Sequence, residues 1–362
     1  MSLHSYITLG NSGLRVSPFC LGTMTFGNDR GWGSSPSEAH AILASFLDRG
    51  GNFIDTANLY TYGHSEKIIG DYFVQNAATR QRTVLATKFF SNLHFDDPNG
   101  GGAGRKAILT QLENSLRRLR TDYVDLYWLH LWDKFTPIEE TLRTLDDLVT
   151  SGKVRYIGLS DTPAWKVTQA QMIAQFRGWA PLIALQIEYS LVQRTVEGEL
   201  IPAAQELRLG VTSFAPLKGG LLSGKYTREN FGTMKSDRGA LVAMPTEKQL
   251  AILDQLKLIA EELNTTVAAV ALAWVQSRPG VTSIIIGARH MDQLNANLAA
   301  LDITLTADQV ASLDALTQPT LNFPADLLKN LSLSLAHAGA TVNGEPSVRV
   351  SSLLPSKAEV VY

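Results

Sequence analysis

Two periodicities alternate along most of the chain. Short apolar runs bounded by turn residues read as buried strands, and longer segments with apolar residues at i, i+3 and i+4 read as helices laid over them. Eight apolar runs recur in order: PFCLGTM, NFIDTA, TVLATK, YVDLYWLH, VRYIGLS, LIALQIEY, VTSFAPL and TSIIIGA. Between them lie segments of helical spacing, among them SPSEAHAILASFLDRG, RKAILTQLENSLRRL, PIEETLRTLDDLVTSG and TTVAAVALAWVQSR. Several open on Ser, Thr or Pro and close near Gly, as capped helices do. A hairpin is expected before the series, YITL turning at GNSG into LRVS.

This order predicts the α/β class, and within it one (β/α)8 barrel closed by eight strand–helix units. The competing architecture, a doubly wound open sheet, wants G-x-G-x-x-G straight after its first strand; PFCLGTMTFG has glycines at another spacing and no helix behind it. Residues 1–325 are assigned to the barrel and 326–362 to a C-terminal extension that is flexible or folded over the active site. The loops at about 89–104, with its NGGGAG cluster, and about 218–245 are too long for plain connections, which marks them as functional or disordered. From LAHAGATVNGEPS onward no periodicity is evident.

Composition narrows the partners. The 362 residues are 45% hydrophobic and 18% charged, with a formal net charge of −2. There is no basic field for nucleic acid or an anionic membrane, so the expected partner is a small molecule. Cys20 is the single cysteine, which excludes an intrachain disulfide and a cysteine-built metal site. No run has the length of a membrane span or a signal-peptide core, so a cytoplasmic location is expected. Oligomeric state is left open.

Catalytic groups in such barrels stand where strands end at the C-terminal mouth. The second run ends in Asp55, the third in Lys88 and the fourth in His130, while Tyr60 follows Asp55 by five positions. Singly, each has a structural explanation: a cap, a solvated loop end, a satisfied histidine. Together on consecutive strands they suggest a mechanism. An ammonium beside a phenol stabilises the phenolate, so Lys88, aimed by Asp55, is expected to lower the Tyr60 pKa from about 10 by about one to three units. Tyr60 would donate a proton to a carbonyl that His130 orients, and the missing nucleophile would be a hydride from a nicotinamide cofactor.

The segment KGGLLSGKY after the seventh run stops one residue short of a nucleotide-hydrolase phosphate loop, because Tyr226 stands where Ser or Thr would hold magnesium. Here Gly219, Gly220 and Gly224 let the backbone approach an anion, Lys225 adds charge, and Arg289 leads into MDQLNANLAAL after the eighth run. Loops after strands seven and eight are the usual phosphate site of barrels, and an arginine there suits a 2′-phosphate. A plain strand-ending turn is the alternative.

These stretches, LGTMTFG, NFIDTANLYTYGHSE, TVLATK, YVDLYWLH, VRYIGLSD, LQIEYS, FAPLKGGLLSGKY and IIIGARHMDQLNANL, resemble the aldo-keto reductases over about residues 5–325, in particular the bacterial group similar to potassium-channel beta subunits and aldehyde or sugar reductases. The resemblance implies a (β/α)8 barrel with a bottom-closing hairpin that binds NADPH without a Rossmann domain. It implies Asp55, Tyr60, Lys88 and His130 as the catalytic tetrad, Tyr60 rather than Tyr62 being selected by the step from Asp55. Ser160, Asp161 and Gln186 should meet the nicotinamide carboxamide and Phe214 should stack on the ring. Pro216, Leu217, Lys218, Gly219, Leu222 and Lys225 should follow the pyrophosphate, Gly287, Arg289, Gln293 and Asn297 the adenosine end, and Gly22, Thr23 and Met24 the cofactor beside Asp55. The chain departs from the family at Asp161, where Asn is usual, at Phe214, often Tyr or Trp, and at Ala296, often Glu. No metal is called for. Trp32, Trp128 and Trp132 are expected to line the substrate mouth.

The reaction so implied is NADPH-dependent reduction of an aldehyde or ketone. Two other readings are a lyase forming a Schiff base on Lys88 and an NADPH-binding regulatory or sensor subunit with little turnover.

Overall fold

The computed structural model describes residues 1–230 and 245–350. The hairpin comes first in the chain, made of β1 (Ile7–Thr8) and β2 (Arg15–Val16). The eight apolar runs become β3 (Phe19–Gly22), β4 (Phe53–Asp55), β5 (Val84–Phe89), β6 (Val124–Leu129), β7 (Val154–Ser160), β8 (Leu182–Glu188), β9 (Gly210–Phe214) and β10 (Val281–Gly287). All pair in parallel with their sequence neighbours, and β10 closes on β3 with Gly287 opposite Gly22. The result is a closed eight-stranded parallel barrel, as the alternation predicts.

Period two along each strand sorts side chains between two cores. On β6, Leu126 and Trp128 point into the lumen, where they pack with Cys20, Phe53, Ala86 and Ala184. Tyr127 and Leu129 point outward into the larger layer between strands and helices. The hairpin plugs the lumen at the N-terminal strand ends: Leu9 and Val16 join the lumen cluster, and Asn11 N–H donates to Arg208 O at 2.8 Å. Gly10 allows this approach, since a Cβ there would stand 2.2 Å from Ile183 O. Only the opposite, C-terminal mouth is left for a ligand.

The outer layer is α1 (Pro36–Asp48), α2 (His64–Gln75), α3 (Ala77–Arg80), α4 (Arg105–Leu119), α5 (Ile138–Thr150), α6 (Ala164–Arg177), α7 (Leu200–Glu206), α8 (Glu247–Glu262), α9 (Val267–Gln276), α10 (Met291–Leu298) and α11 (Ala307–Thr317). Capping boxes at Ser35/Glu38, Thr246/Gln249 and Thr306/Gln309 satisfy first-turn N–H groups and set where α1, α8 and α11 begin. Helix α9 is apolar all round because α8 and β10 cover it, with Ala268 through Val275 buried. Among the described residues no single helix is long and apolar enough to cross a membrane.

The extension is more ordered than its composition suggests. Ala325–His337 forms α12, and Thr341–Val342 pairs with Glu345–Pro346 across Asn343–Gly344, both at positive φ as a two-residue hairpin turn requires. The rest of the expected extension, residues 351–362, lies outside the described residues. Of the long loop at 218–245, residues 231–244 also lie outside them. The loop at 89–104 is held by its own contacts, with Asn92 Nδ2 donating to Asp97 O at 2.7 Å and Gly102 N–H to Phe90 O at 2.7 Å.

Candidate active site

Lys88 ends the inward-facing row of β5 and is wholly buried, so its ammonium needs acceptors from the protein. It has three: it pairs with Asp55 Oδ2, donates to Thr56 O at 2.9 Å, and donates to the Tyr60 hydroxyl at 3.2 Å. The second Asp55 oxygen accepts from Gln186 Nε2 at 3.0 Å. His130 follows β6, its ring edge-on to that of Tyr60 at 6.1 Å between centroids and 80°. Because the Tyr60 oxygen accepts from Lys88, its own proton is free to point into the mouth. The three groups read at successive strand ends, and Tyr60 from the loop after Asp55, thus stand together.

A tight turn carries Tyr60 back over the barrel. Tyr60–Gly63 is a kinked turn in which Thr61 and Tyr62 hold φ values of 49° and 56°, left-handed positions costing roughly 1–2 kcal/mol each for non-glycine residues. Thr61 Oγ1 donates to Phe26 O at 2.7 Å and secures the turn to the loop after β3. Tyr62, the alternative phenol, is 67% exposed and lies under Arg30, 4.9 Å from guanidinium carbon to ring centroid.

The electrostatics correct one expectation. Burial pushes Tyr60 above the ordinary phenol value, and the pull of Lys88 the other way does not overcome it; Asp55 adds to the rise. For Lys88 burial works against the charge, yet Asp55 and Tyr60 together hold its pKa above that of a free lysine. His130 falls to about 3, through burial and the nearby Lys88 charge, so it is a neutral imidazole at any physiological pH. Its Nδ1 is buried without a partner. Asp161 rises to about 6 as loss of solvation and the charge of Glu188 outweigh the pull of Lys88.

A cavity of about 610 Å³ opens from this cluster along the strand ends. Of the residues expected to hold the cofactor, Gly22, Met24, Asp55, Ser160, Asp161, Gln186, Phe214, Pro216, Leu217, Gly219, Lys225, Gly287, Arg289, Gln293 and Asn297 line it. Gly220 has φ of 100°, and a Cβ there would come 3.4 Å from Lys225 Nζ, so a side chain would narrow the wall beside the cation. Gln293 Oε1 accepts from Arg289 N–H at 2.8 Å and Asn297 Nδ2 donates to Gly287 O at 3.0 Å, fixing the loop that presents Arg289. Tyr226, at the position a phosphate loop gives to Ser or Thr, is buried in the core.

Six expected contacts are placed elsewhere. Thr23 is buried behind the wall, its hydroxyl donating to Asp55 O at 3.0 Å, so it positions Asp55 and does not face the cavity. Lys218 turns away to pair with Glu188. Leu222 is fully buried in the outer core. Among the tryptophans, Trp128 lies in the lumen as part of the packed layer because β6 alternation points it inward, below the cavity wall. Trp132 packs on the core with Lys166 Nζ 4.9 Å from its ring, and half-buried Trp32 is also absent from the wall. Conversely, Thr25, Arg30, Ser223, Ala268 and Leu272 do line the cavity and were not singled out in the sequence. Ala268 and Leu272 carried no signal because a helix buried on every side shows no face; Arg30 sits in an aperiodic loop.

The model of the aldo/keto reductase family matches residues 18–318. The oxidoreductase YrpG of Bacillus subtilis (strain 168) is 41% identical over 309 residues, covering 83% of this chain and 92% of that protein. An aryl-alcohol dehydrogenase of Pestalotiopsis microspora is 36% identical over 328 residues, 88% of this chain and 83% of its own. A probable voltage-gated potassium channel subunit beta of Oryza sativa subsp. japonica is 36% identical over 324 residues, 86% of this chain and 96% of its own. With the barrel and the residues at its mouth, these matches make the chain an oxidoreductase belonging to the aldo/keto reductase family.

Proposed function

We propose that the protein reduces an aldehyde or ketone to the alcohol, reversibly, with NADPH as hydride donor and Tyr60 as proton donor. The observation carrying this reading is the Lys88–Tyr60 hydrogen bond inside a cavity whose far end collects Lys225, Arg289 and a glycine-rich turn. The residues fit a nicotinamide dinucleotide. At the near end, the buried Ser160 hydroxyl has no partner, and Asp161 and Gln186 stand beside it, an amide-reading set that still wants an amide. At the far end the cations and backbone N–H groups suit phosphates.

When bound, NADPH would supply the hydride; the chain's own residues handle the proton. Tyr60, held protonated by burial, can give its proton to the carbonyl oxygen, and the ammonium of Lys88, at 3.2 Å, stabilises the phenolate that forms. Neutral His130 can hydrogen-bond the same oxygen without competing as an acid. Asp55 keeps Lys88 charged and aimed. In the alcohol-oxidising direction Tyr60 must first lose its proton, so oxidation is favoured in alkali.

A Schiff base on Lys88 finds no support, because its three N–H bonds are spent on Asp55, Thr56 O and Tyr60, leaving no lone pair for attack. A sensor role is separated by turnover. Assayed against a panel of aldehydes and ketones, the wild type should oxidise NADPH and Tyr60→Phe should lose nearly all turnover while still quenching NADPH fluorescence. Unchanged turnover in the variant would remove Tyr60 from its role, and tight NADPH binding without turnover of any carbonyl would favour the sensor.

A further inference from the structure

Arg30 lines the cavity together with Leu59, Tyr60 and His130. It is fixed to the chain on both sides of the proposed proton donor: Nη2 donates to Leu59 O at 3.1 Å, and the guanidinium lies over the ring of Tyr62. Those contacts cover one edge and one face. Nε is buried and has no acceptor, and among the described residues the bond to Leu59 O is the only hydrogen bond that Arg30 makes.

Nor does any carboxylate among the described residues pair with it. Asp29, its neighbour, is engaged by His64 Nδ1 at 2.7 Å, and Asp55 is locked on Lys88. Asp161 directly follows β7, and Lys225 and Arg289 lie on the loops after β9 and β10. A half-buried guanidinium without a counter-charge is poorly compensated, and its planar fork matches a carboxylate in particular.

We infer that the substrate is a carbonyl compound carrying a carboxylate, and that Arg30 binds that carboxylate while Tyr60 and His130 hold the carbonyl. The inference rests on the carbonyl-reductase reading and adds the substrate class to it. Arg30 is then a specificity residue: it touches the substrate away from the reacting carbon and acts mainly on KM.

The test compares 4-carboxybenzaldehyde with its neutral methyl ester at saturating NADPH, in wild type, Arg30→Met and Arg30→Lys. The wild type should favour the carboxylate by about tenfold or more in kcat/KM. Arg30→Met should abolish most of that preference through KM, and Arg30→Lys should keep an intermediate share, because lysine retains the charge without the fork. In the wild type alone, KM for the carboxylate should rise with added KCl while that for the ester stays level, a readout that needs no variant. An equal preference in wild type and Arg30→Met, a salt-independent KM, or loss of NADPH binding in Arg30→Met, which would give the cation to the cofactor, each overturns the inference. Turnover of both aldehydes without discrimination would leave the reductase reading standing; no turnover of either aldehyde or of any other carbonyl in the panel would sink both.

Discussion

Gln186, on β8, hydrogen-bonds Asp55, on β4, at 3.0 Å from Nε2 to Oδ1, joining two strands that are not neighbours in the barrel. The amide that lines the cavity beside Ser160 is thus also the brace for the carboxylate that orients Lys88. A change at Gln186 is therefore felt at Asp55 and, through it, at Lys88.

Replacing Gln186 by Leu should therefore do more than remove a wall group. It leaves a buried carboxylate oxygen unsatisfied, costing about 1–3 kcal/mol. Thermal unfolding should show a lower Tm, and kcat should fall together with NADPH affinity. A variant that loses only affinity, with Tm and kcat intact, would mean that Asp55 does not depend on the brace.

Lys88 and Asp55 form a wholly buried pair, so removing one charge strands the other. Lys88→Met should be destabilised by about 3–5 kcal/mol and inactive. The double variant Asp55→Asn, Lys88→Met should recover much of the stability and none of the activity, since the phenolate of Tyr60 then has no cation. Denaturant titration and NADPH turnover measured on the same preparations separate the two roles; stability that stays low in the double variant would refute the stranded-charge account.

The parts of this site legible in the sequence were those that one strand can show. An ionisable residue placed directly after an apolar run marks a strand end, and barrel closure brings Asp55, Lys88 and His130 to one mouth. Trp128 was misplaced although the same rule reaches it: two residues before His130 on β6, it faces inward one layer deeper, where side chains fill the lumen. The Tyr60 shift was not legible, because the sequence names its charged neighbours while burial, the larger effect, belongs to the assembled barrel. Arg30 was invisible for another reason. Its loop has no period, and only the turn at Thr61 and Tyr62 sets the Tyr62 ring under the guanidinium. Asn343–Gly344 was readable as a hairpin turn and was hidden by the polar composition around it.

Arg289 should discriminate between cofactors. It lines the far end of the cavity on a loop braced by Gln293 and Asn297, where a 2′-phosphate would be met by a guanidinium. Arg289→Ala should weaken NADPH by at least about tenfold and NADH by much less, as read by fluorescence titration. An equal loss for the two cofactors would count against a 2′-phosphate contact.

Asp161 carries the pH prediction. Its pKa, raised to about 6, means that the folded protein holds this proton more tightly than the unfolded chain, whose carboxyl titrates near about 3.9. Ionisation therefore works against folding: the penalty is absent at low pH, grows as pH rises from about 4 to about 6, and is fully present above that. Asn cannot ionise, so Asp161→Asn should raise Tm at pH 8, by about 1–3 °C given partial solvent screening, and the gap to wild type should close as pH falls to 4. The same substitution supplies an amide N–H where the ionised acid can only accept. NADPH should bind the variant more tightly than wild type at pH 8, with the difference shrinking below pH 6 as wild-type Asp161 takes up its proton and becomes a donor itself. Differential scanning fluorimetry and fluorescence titration across pH 4–8 check both effects, and a Tm gap that is constant with pH would show that the gain comes from packing and owes nothing to the charge.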